Sequence, residues 1–291
     1  MSLYKYVPPE RLDVLRHLRI RFTQPEAQND PFEFRPLVDR FRRSEVAEES
    51  LSEQWERYYH EKFSQRFGPQ VFAEIKKRCP TFLALQKSVD VAKADRQSDP
   101  ASREEVFQEL NRRVGILSLS DIPDSFLLWW RYASGQSGFV YEFDDKHPWF
   151  WAKTRENDDT HELRKVNYVD VPSSPYLAEL DAHEVLYSKR KNWEYEREWR
   201  IIRPFVESPQ RVGDDVYLFD VPPTALTGVI VGSSTTDASI HELVQIVTSN
   251  RNLAHLRIGC AHHVPSDSTV DVEFWSESVA QIPAQFGAST S

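Results

Sequence analysis

Glycine is scarce in this sequence, with 9 residues in 291 against 18 prolines. So few glycines leave little backbone able to wrap a phosphate closely, and no GxGxxG, Walker A, GxSxG or protein-kinase signature occurs. Cysteine is rarer still. Cys79 and Cys260 lie far apart with no CxxC spacing, which argues against a disulfide scaffold or a thiolate zinc site and leaves two reduced, buried thiols as the expectation. No run of apolar residues is long enough to cross a membrane, and Met1-Ser2-Leu3-Tyr4-Lys5-Tyr6 has no apolar leader core. A cytoplasmic protein with no membrane partner is therefore expected. Positive charge is in deficit, 36 Lys+Arg against 45 Asp+Glu, for a formal net charge of −9. That balance disfavours a general nucleic-acid coat but leaves room for a small basic pocket.

Aromatic residues are plentiful: 8 Trp, 11 Tyr and 17 Phe in a chain that is 40% hydrophobic, enough for a sizeable core. Leu3–Val7 reads as an aromatic strand, Arg11–Leu18 as a helix opened by Pro8-Pro9, and Arg19–Thr23 as a half-buried strand before the turn Asn29-Asp30-Pro31. From about residue 43 to 113 the apolar spacing is helical, including Trp55, Tyr58 and Tyr59. Strand patterns return at Gly115–Ser120, Gly138–Phe143, Leu163–Val169, Tyr195–Pro204, Val216–Val221 and Gly228–Val231. Helices are expected at Phe126–Tyr132 and Ile240–Val247, and final strands at Ala254–Ile258 and Val270–Phe274. The pattern predicts an α+β (mixed α/β) fold: a central mixed sheet, a helical insert at about 43–113 and a C-terminal strand–helix unit. One domain over 1–282 and a frayed tail over 283–291 are expected.

Three constellations carry candidate chemistry. In Lys189-Arg190-Lys191-Asn192-Trp193-Glu194-Tyr195-Glu196-Arg197-Glu198-Trp199-Arg200, a strand over 194–200 would put Glu194, Glu196, Glu198 and Arg200 on one face. Crowded carboxylates repel unless a cation such as Arg200 separates them, a cost that makes sense where a cationic or hydroxyl-rich ligand is held. In Trp129-Trp130-Arg131-Tyr132, indole, guanidinium and phenol groups offer stacking and polar edges to a planar ligand. Asn29-Asp30-Pro31-Phe32-Glu33 presents an amide and a carboxylate on a fixed turn. Lys5, Arg11, Arg16, Arg19 and Arg21 form a candidate anion-binding patch, with ion pairing to the acidic helical insert as the alternative. Gly232-Ser233-Ser234 reads as a plain connection, and His262-His263 lacks a third ligand, so no bound metal is expected.

Taken in order, these motifs resemble the bacterial family catalogued as domain of unknown function 2971. The resemblance rests on Leu3-Tyr4-Lys5-Tyr6, Phe22 to Asn29-Asp30-Pro31-Phe32, Ile116–Ser120, Trp129-x-x-Tyr132-Ala133 with Gly138, Trp193-x-x-Glu196-x-Glu198-x-Arg200 and Val229-Ile230-Val231-Gly232. It covers about residues 3–250. Gln136 stands where many members carry a histidine. The layout is distantly similar to ADP-ribosyltransferases, which implies NAD as cofactor or substrate and a place among bacterial defence or toxin effectors. By that resemblance Glu198, the favoured residue, or Glu196 would be catalytic, while Tyr4, Lys5, Asn29, Asp30, Ser118, Ser120, Trp129, Tyr132 and Arg200 would line a site for NAD or a similar nucleotide. Lys5 stands where such proteins carry His or Arg, and the strand–helix unit after Gly228 is additional to their minimal fold. Two other readings stay open. One is a metal-dependent nuclease or phosphodiesterase using Asp30, Glu196 and Glu198. The other is a non-catalytic nucleotide- or protein-binding module whose contacts include Trp55, Tyr58 and Tyr59. A protein or nucleic-acid target is compatible with each.

Overall fold

The computed structural model describes residues 1–30, 34, 100–151, 162–170, 186–264 and 269–276. Of the expected helical insert, helix α2 (Pro100–Arg113) falls among them, and the residues from 43 to 99 lie outside. Trp55, Tyr58, Tyr59, Cys79 and the tail from Pro283 lie outside the described residues.

Both helices and a large mixed sheet are present, as the pattern predicts. Eight strands lie in the order β13-β12-β11-β4-β1-β3-β8-β5. They are β1 (Ser2–Val7), β3 (Val114–Ser120), β4 (Phe139–Asp144), β5 (Arg164–Lys165), β8 (Glu198–Pro204), β11 (Leu226–Val231), β12 (Arg257–Val264) and β13 (Thr269–Ser276). All neighbours run antiparallel except β11 and β12, which are joined through helix α4 (Asp237–Ser249) as a parallel crossover, the expected strand–helix unit. A three-stranded sheet, β2 (Arg19–Phe22), β10 (Val216–Asp220) and β9 (Gln210–Val212), packs beside it, and β6 (Asn167–Val169) pairs with β7 (Ser188–Arg190). The strands at 188–190 and 210–212 were not legible in the sequence; three residues are too few to set up an alternation.

Period two divides the main sheet into two unlike faces. Leu3, Tyr141, Phe143, Leu117, Ile201 and Val229 point to one side, where helix α1 (Asp13–His17), α4 and the aromatic residues Phe22 and Phe219 close the principal core. On the other side, the register Tyr4↔Ser120 and Ser120↔Glu198 sets those three residues in a row across β1, β3 and β8. Helix α3 (Phe126–Tyr132) covers that face, with Ser125 capping its N-terminus by accepting from the Leu128 N–H.

Pairing across the sheet is uneven. β1 matches β4 at six positions and β8 matches β3 at seven, but β1 meets β3 only at Tyr4↔Ser120. Farther back along β3, Ile116 exchanges both backbone hydrogen bonds with Thr23, at 2.9 Å each, in place of β1. The two strands therefore part, and a cleft opens between them.

The end of α3 is locked to the loop before α4. Gly232 N–H donates to Gly138 O at 3.0 Å and Ser234 N–H to Gln136 O at 3.0 Å. A Cβ on Gly232 would lie 2.1 Å from the Gln136 carbonyl oxygen, a backbone atom that cannot swing aside. Gly232→Ala is accordingly expected to destabilise the protein by about 1–3 kcal/mol through overpacking, measured as a lower urea midpoint at unchanged slope.

Candidate functional site

A cavity of about 210 Å³ occupies the cleft between β1 and β3. Tyr4, Lys5, Ser118, Ser120, Tyr132, Glu196 and Glu198 all border it, and exposed Asn29 stands at its edge with Thr23 and Gln28. Residues drawn from four separate stretches of sequence thus meet in one place.

The base of the cavity is a buried ionic cluster. Lys189 Nζ donates to Glu196 Oε2 at 2.6 Å and to Glu198 Oε2 at 2.8 Å, with all three side chains no more than 6% exposed. Arg200 adds a fork on Glu198, Nε to Oε1 at 2.7 Å and Nη2 to Oε2 at 2.9 Å, while its Nη1 donates to the Leu186 carbonyl at 2.7 Å. Such charge-assisted, two-point pairing is what lets carboxylates stay ionised away from water. Burial by itself would raise the Glu198 carboxyl, but Arg200 and Lys189 together hold it well below the usual carboxylate range. The Tyr132 hydroxyl donates to Glu196 Oε1. Burial, reinforced by the Glu196 charge, pushes that phenol upward, so it stays a donor at neutral pH.

The backbone that delivers the two glutamates is not the strand the alternation predicts. Residues Lys191–Glu196 form a 3-10 helix, Arg197 adopts a left-handed conformation at φ 47°, and β8 begins only at Glu198. Glu194 falls on the exposed side of the 3-10 helix, away from the cavity. Glu196 and Glu198 converge because the left-handed residue turns the chain between them. Ser120 helps to hold this geometry, donating from Oγ to the Glu196 carbonyl at 2.7 Å.

Three expected site residues lie elsewhere. Trp129 is fully buried, its indole N–H bonded to Pro123 O at 2.7 Å and its ring edge-on to Tyr6, so it belongs to the core and offers no stacking face. Its neighbour Trp130, one helical step round, is 63% exposed, and of this motif only Tyr132 reaches the cavity. Arg200 is wholly buried behind Glu198, where it positions that carboxylate without bordering the cavity. Asp30 is buried and does not line the cavity either.

The N-terminal basic patch does not form. Arg11 pairs with Asp13, Arg16 with Glu242 and Arg19 with Asp220, while Arg21 reaches Gln24 and the Asp215 carbonyl. Only Lys5 turns toward the cavity. Conversely, Lys189 is central to the site yet stood in the sequence merely as one member of a basic run. Its sole signal was proximity to the glutamates. Glu142 was also missed: it is 2% exposed and bound by Arg257 at 2.7 Å, and its carboxylate meets the Tyr4 hydroxyl at 3.5 Å.

No family model, curated protein or solved structure matches this chain. What the cavity can do follows from its groups. Glu198 has both oxygens taken by cations, whereas Glu196 accepts one hydrogen bond on each oxygen, leaving lone pairs for a ligand hydroxyl. The same occupancy leaves poor coordination for a divalent cation, and no group of three metal-binding side chains occurs among the described residues. No helix among those residues is long and apolar enough to cross a membrane.

Removing Lys189 would leave two buried carboxylates short of a counter-charge. Lys189→Met is expected to cost about 3–5 kcal/mol of stability at neutral pH, read from urea unfolding. The acid side has a defined sign. The folded-state pKa of Glu198 lies below its unfolded value of 4.5, so its stabilisation is complete above about pH 5 and fades as pH falls below 4.5. Urea midpoints should drop over that window, by less in Glu198→Gln.

Proposed function

We propose that the β1–β3 cleft is a glycosyl-transfer site of the ADP-ribosyltransferase or NAD-cleaving type. The observation that carries this reading is the buried Glu196–Lys189–Glu198 cluster at the base of a hydroxyl-lined cavity, in line across adjacent strands with Tyr4 and Ser120. The distant similarity of the motif layout to ADP-ribosyltransferases supports the same assignment. The cavity is smaller than a typical site for a drug-sized ligand, ~300–1,000 Å³, so it would take the nicotinamide-ribose end of NAD with its 5′-phosphate and leave the rest outside.

The roles divide unevenly. Glu196 is the ligand-facing carboxylate: it accepts from a ribose hydroxyl and stabilises positive charge as the bond from C1′ to the nicotinamide nitrogen breaks. Water or an acceptor nucleophile then forms the new bond at C1′ and releases its proton, while nicotinamide leaves with the bonding electron pair. Glu198, fixed by Arg200, holds Lys189 in place and supplies the negative field behind it. Tyr132 orients Glu196 and presents its ring beside the leaving base. A cytoplasmic setting, a defence or toxin role, and a protein or nucleic-acid acceptor belong to the same proposal.

Purified protein incubated with NAD should release nicotinamide, followed by chromatography. Glu196→Gln should lower kcat by about 10²–10³ with an unchanged circular dichroism spectrum. Absence of nicotinamide release from the wild-type protein, with and without candidate acceptors, would sink the assignment.

A further inference from the structure

Lys5 is held differently from the other cations of the site. Lys189 and Arg200 are bonded to carboxylates, but Lys5 makes no ion pair among the described residues. Strand alternation sets it opposite Tyr141, on the face away from Tyr4, and its Nζ enters the cleft where β1 leaves β3. There it donates to a neutral acceptor, the Ser118 carbonyl, at 2.9 Å. An ammonium carries three N–H bonds, and two of them have no partner among the described residues. The Ser118 hydroxyl, bordering the same cavity, is buried with no hydrogen-bond partner. A partly buried ammonium with a single neutral acceptor, and beside it a buried hydroxyl with none, are costly at the end of one cleft unless something else completes them.

We propose that Lys5 and Ser118 form an anion subsite, which takes a carboxylate or phosphate oxygen of the substrate where β1 and β3 part. The carboxylates of Glu196 and Glu198 lie across the cavity and attract Lys5 without bonding it, while Arg11 and Lys189 repel it. Burial outweighs these and lowers the Lys5 ammonium to about 8. A bound oxyanion would reverse that shift, so anion binding and protonation of Lys5 reinforce one another. The inference rests on the cavity being a ligand site and names a group the ligand must carry, but it needs none of the bond-breaking chemistry proposed above.

The test is thermal unfolding of the full chain at fixed ionic strength in chloride, with inorganic phosphate, with nicotinate, and with nicotinamide as the neutral counterpart of nicotinate. At a pH about one unit or more below 8, phosphate or nicotinate should raise Tm of the wild-type protein. The rise should disappear well above pH 8, where Lys5 is neutral. It should be absent in Lys5→Met, retained in part in Lys5→Arg and reduced in Ser118→Ala; any nicotinamide response should be the same in wild type and Lys5→Met. A response to phosphate alone identifies a phosphate group, and one to nicotinate alone a carboxylate. No rise with either anion, or an equal rise in Lys5→Met, overturns the proposal. If Lys5→Met does not fold, acetylation of Lys5 in the wild-type protein gives the same answer: the effective anion should slow it several-fold, and unchanged labelling overturns the subsite. Nicotinamide release measured alongside separates the two ideas. A Lys5-dependent anion response without NAD turnover leaves the subsite standing and removes the glycosyl-transfer reading.

Discussion

The ammonium of Lys189 lies within 2.8 Å of two carboxylates that are themselves almost fully buried. Each of the three charges would be costly alone in that environment, and with Arg200 they form a set in which every charge is paired. The cluster fastens elements that share no continuous hydrogen-bond ladder. Lys189 comes from β7, Glu196 from the 3-10 helix, Glu198 and Arg200 from β8, and Tyr132 ties in α3. Arg200 extends the network to the Leu186 carbonyl, and the Tyr168 hydroxyl accepts the Glu198 backbone N–H at 2.8 Å. The position of the candidate catalytic carboxylate is therefore fixed by electrostatics more than by the sheet.

The cleft has a separate origin. A fully paired β1–β3 seam would close the sheet and leave no room between Tyr4 and Ser118. Thr23 takes the place of β1 beside Ile116, so the seam is zipped at one end and open at the other. The open end receives Lys5 from one face and the serine and glutamate row from the other. A polar cavity inside a sheet otherwise packed with Leu, Phe and Val is the result.

Much of this was legible in the sequence, and the losses have physical causes. Aromatic content identified β1, apolar runs β3 and β11, and alternation β8, while Phe126–Tyr132 was read as a helix with the observed bounds of α3. That Tyr4, Ser120, Tyr132, Glu196 and Glu198 border one cavity was what the resemblance to the ADP-ribosyltransferase layout implied. What periodicity misjudged was the stretch from Lys191 to Arg197. Its charges alternate as a strand's would, but a left-handed residue and a 3-10 turn produce the convergence of the glutamates by another route. Trp129 and Trp130 are identical in type, and only packing decides that one is core and the other surface. Burial of Lys189 depends on partners that a one-dimensional reading cannot supply. The basic patch failed for the converse reason, since each arginine found its own nearby acceptor.

The uneven seam has a consequence for how the chain reaches its native state. β1 comes from residues 2–7, yet its partners are at 120 and 139–144, and the row that crosses it ends at 198. Contacts this distant in sequence form slowly, because loop-closure entropy must be overcome before they add stability. The cavity is thus assembled late, from segments nearly two hundred residues apart in the chain. A chain emerging from the ribosome would hold no pocket until the residues of β8 had appeared, so any activity of the cleft is withheld from nascent protein by topology alone.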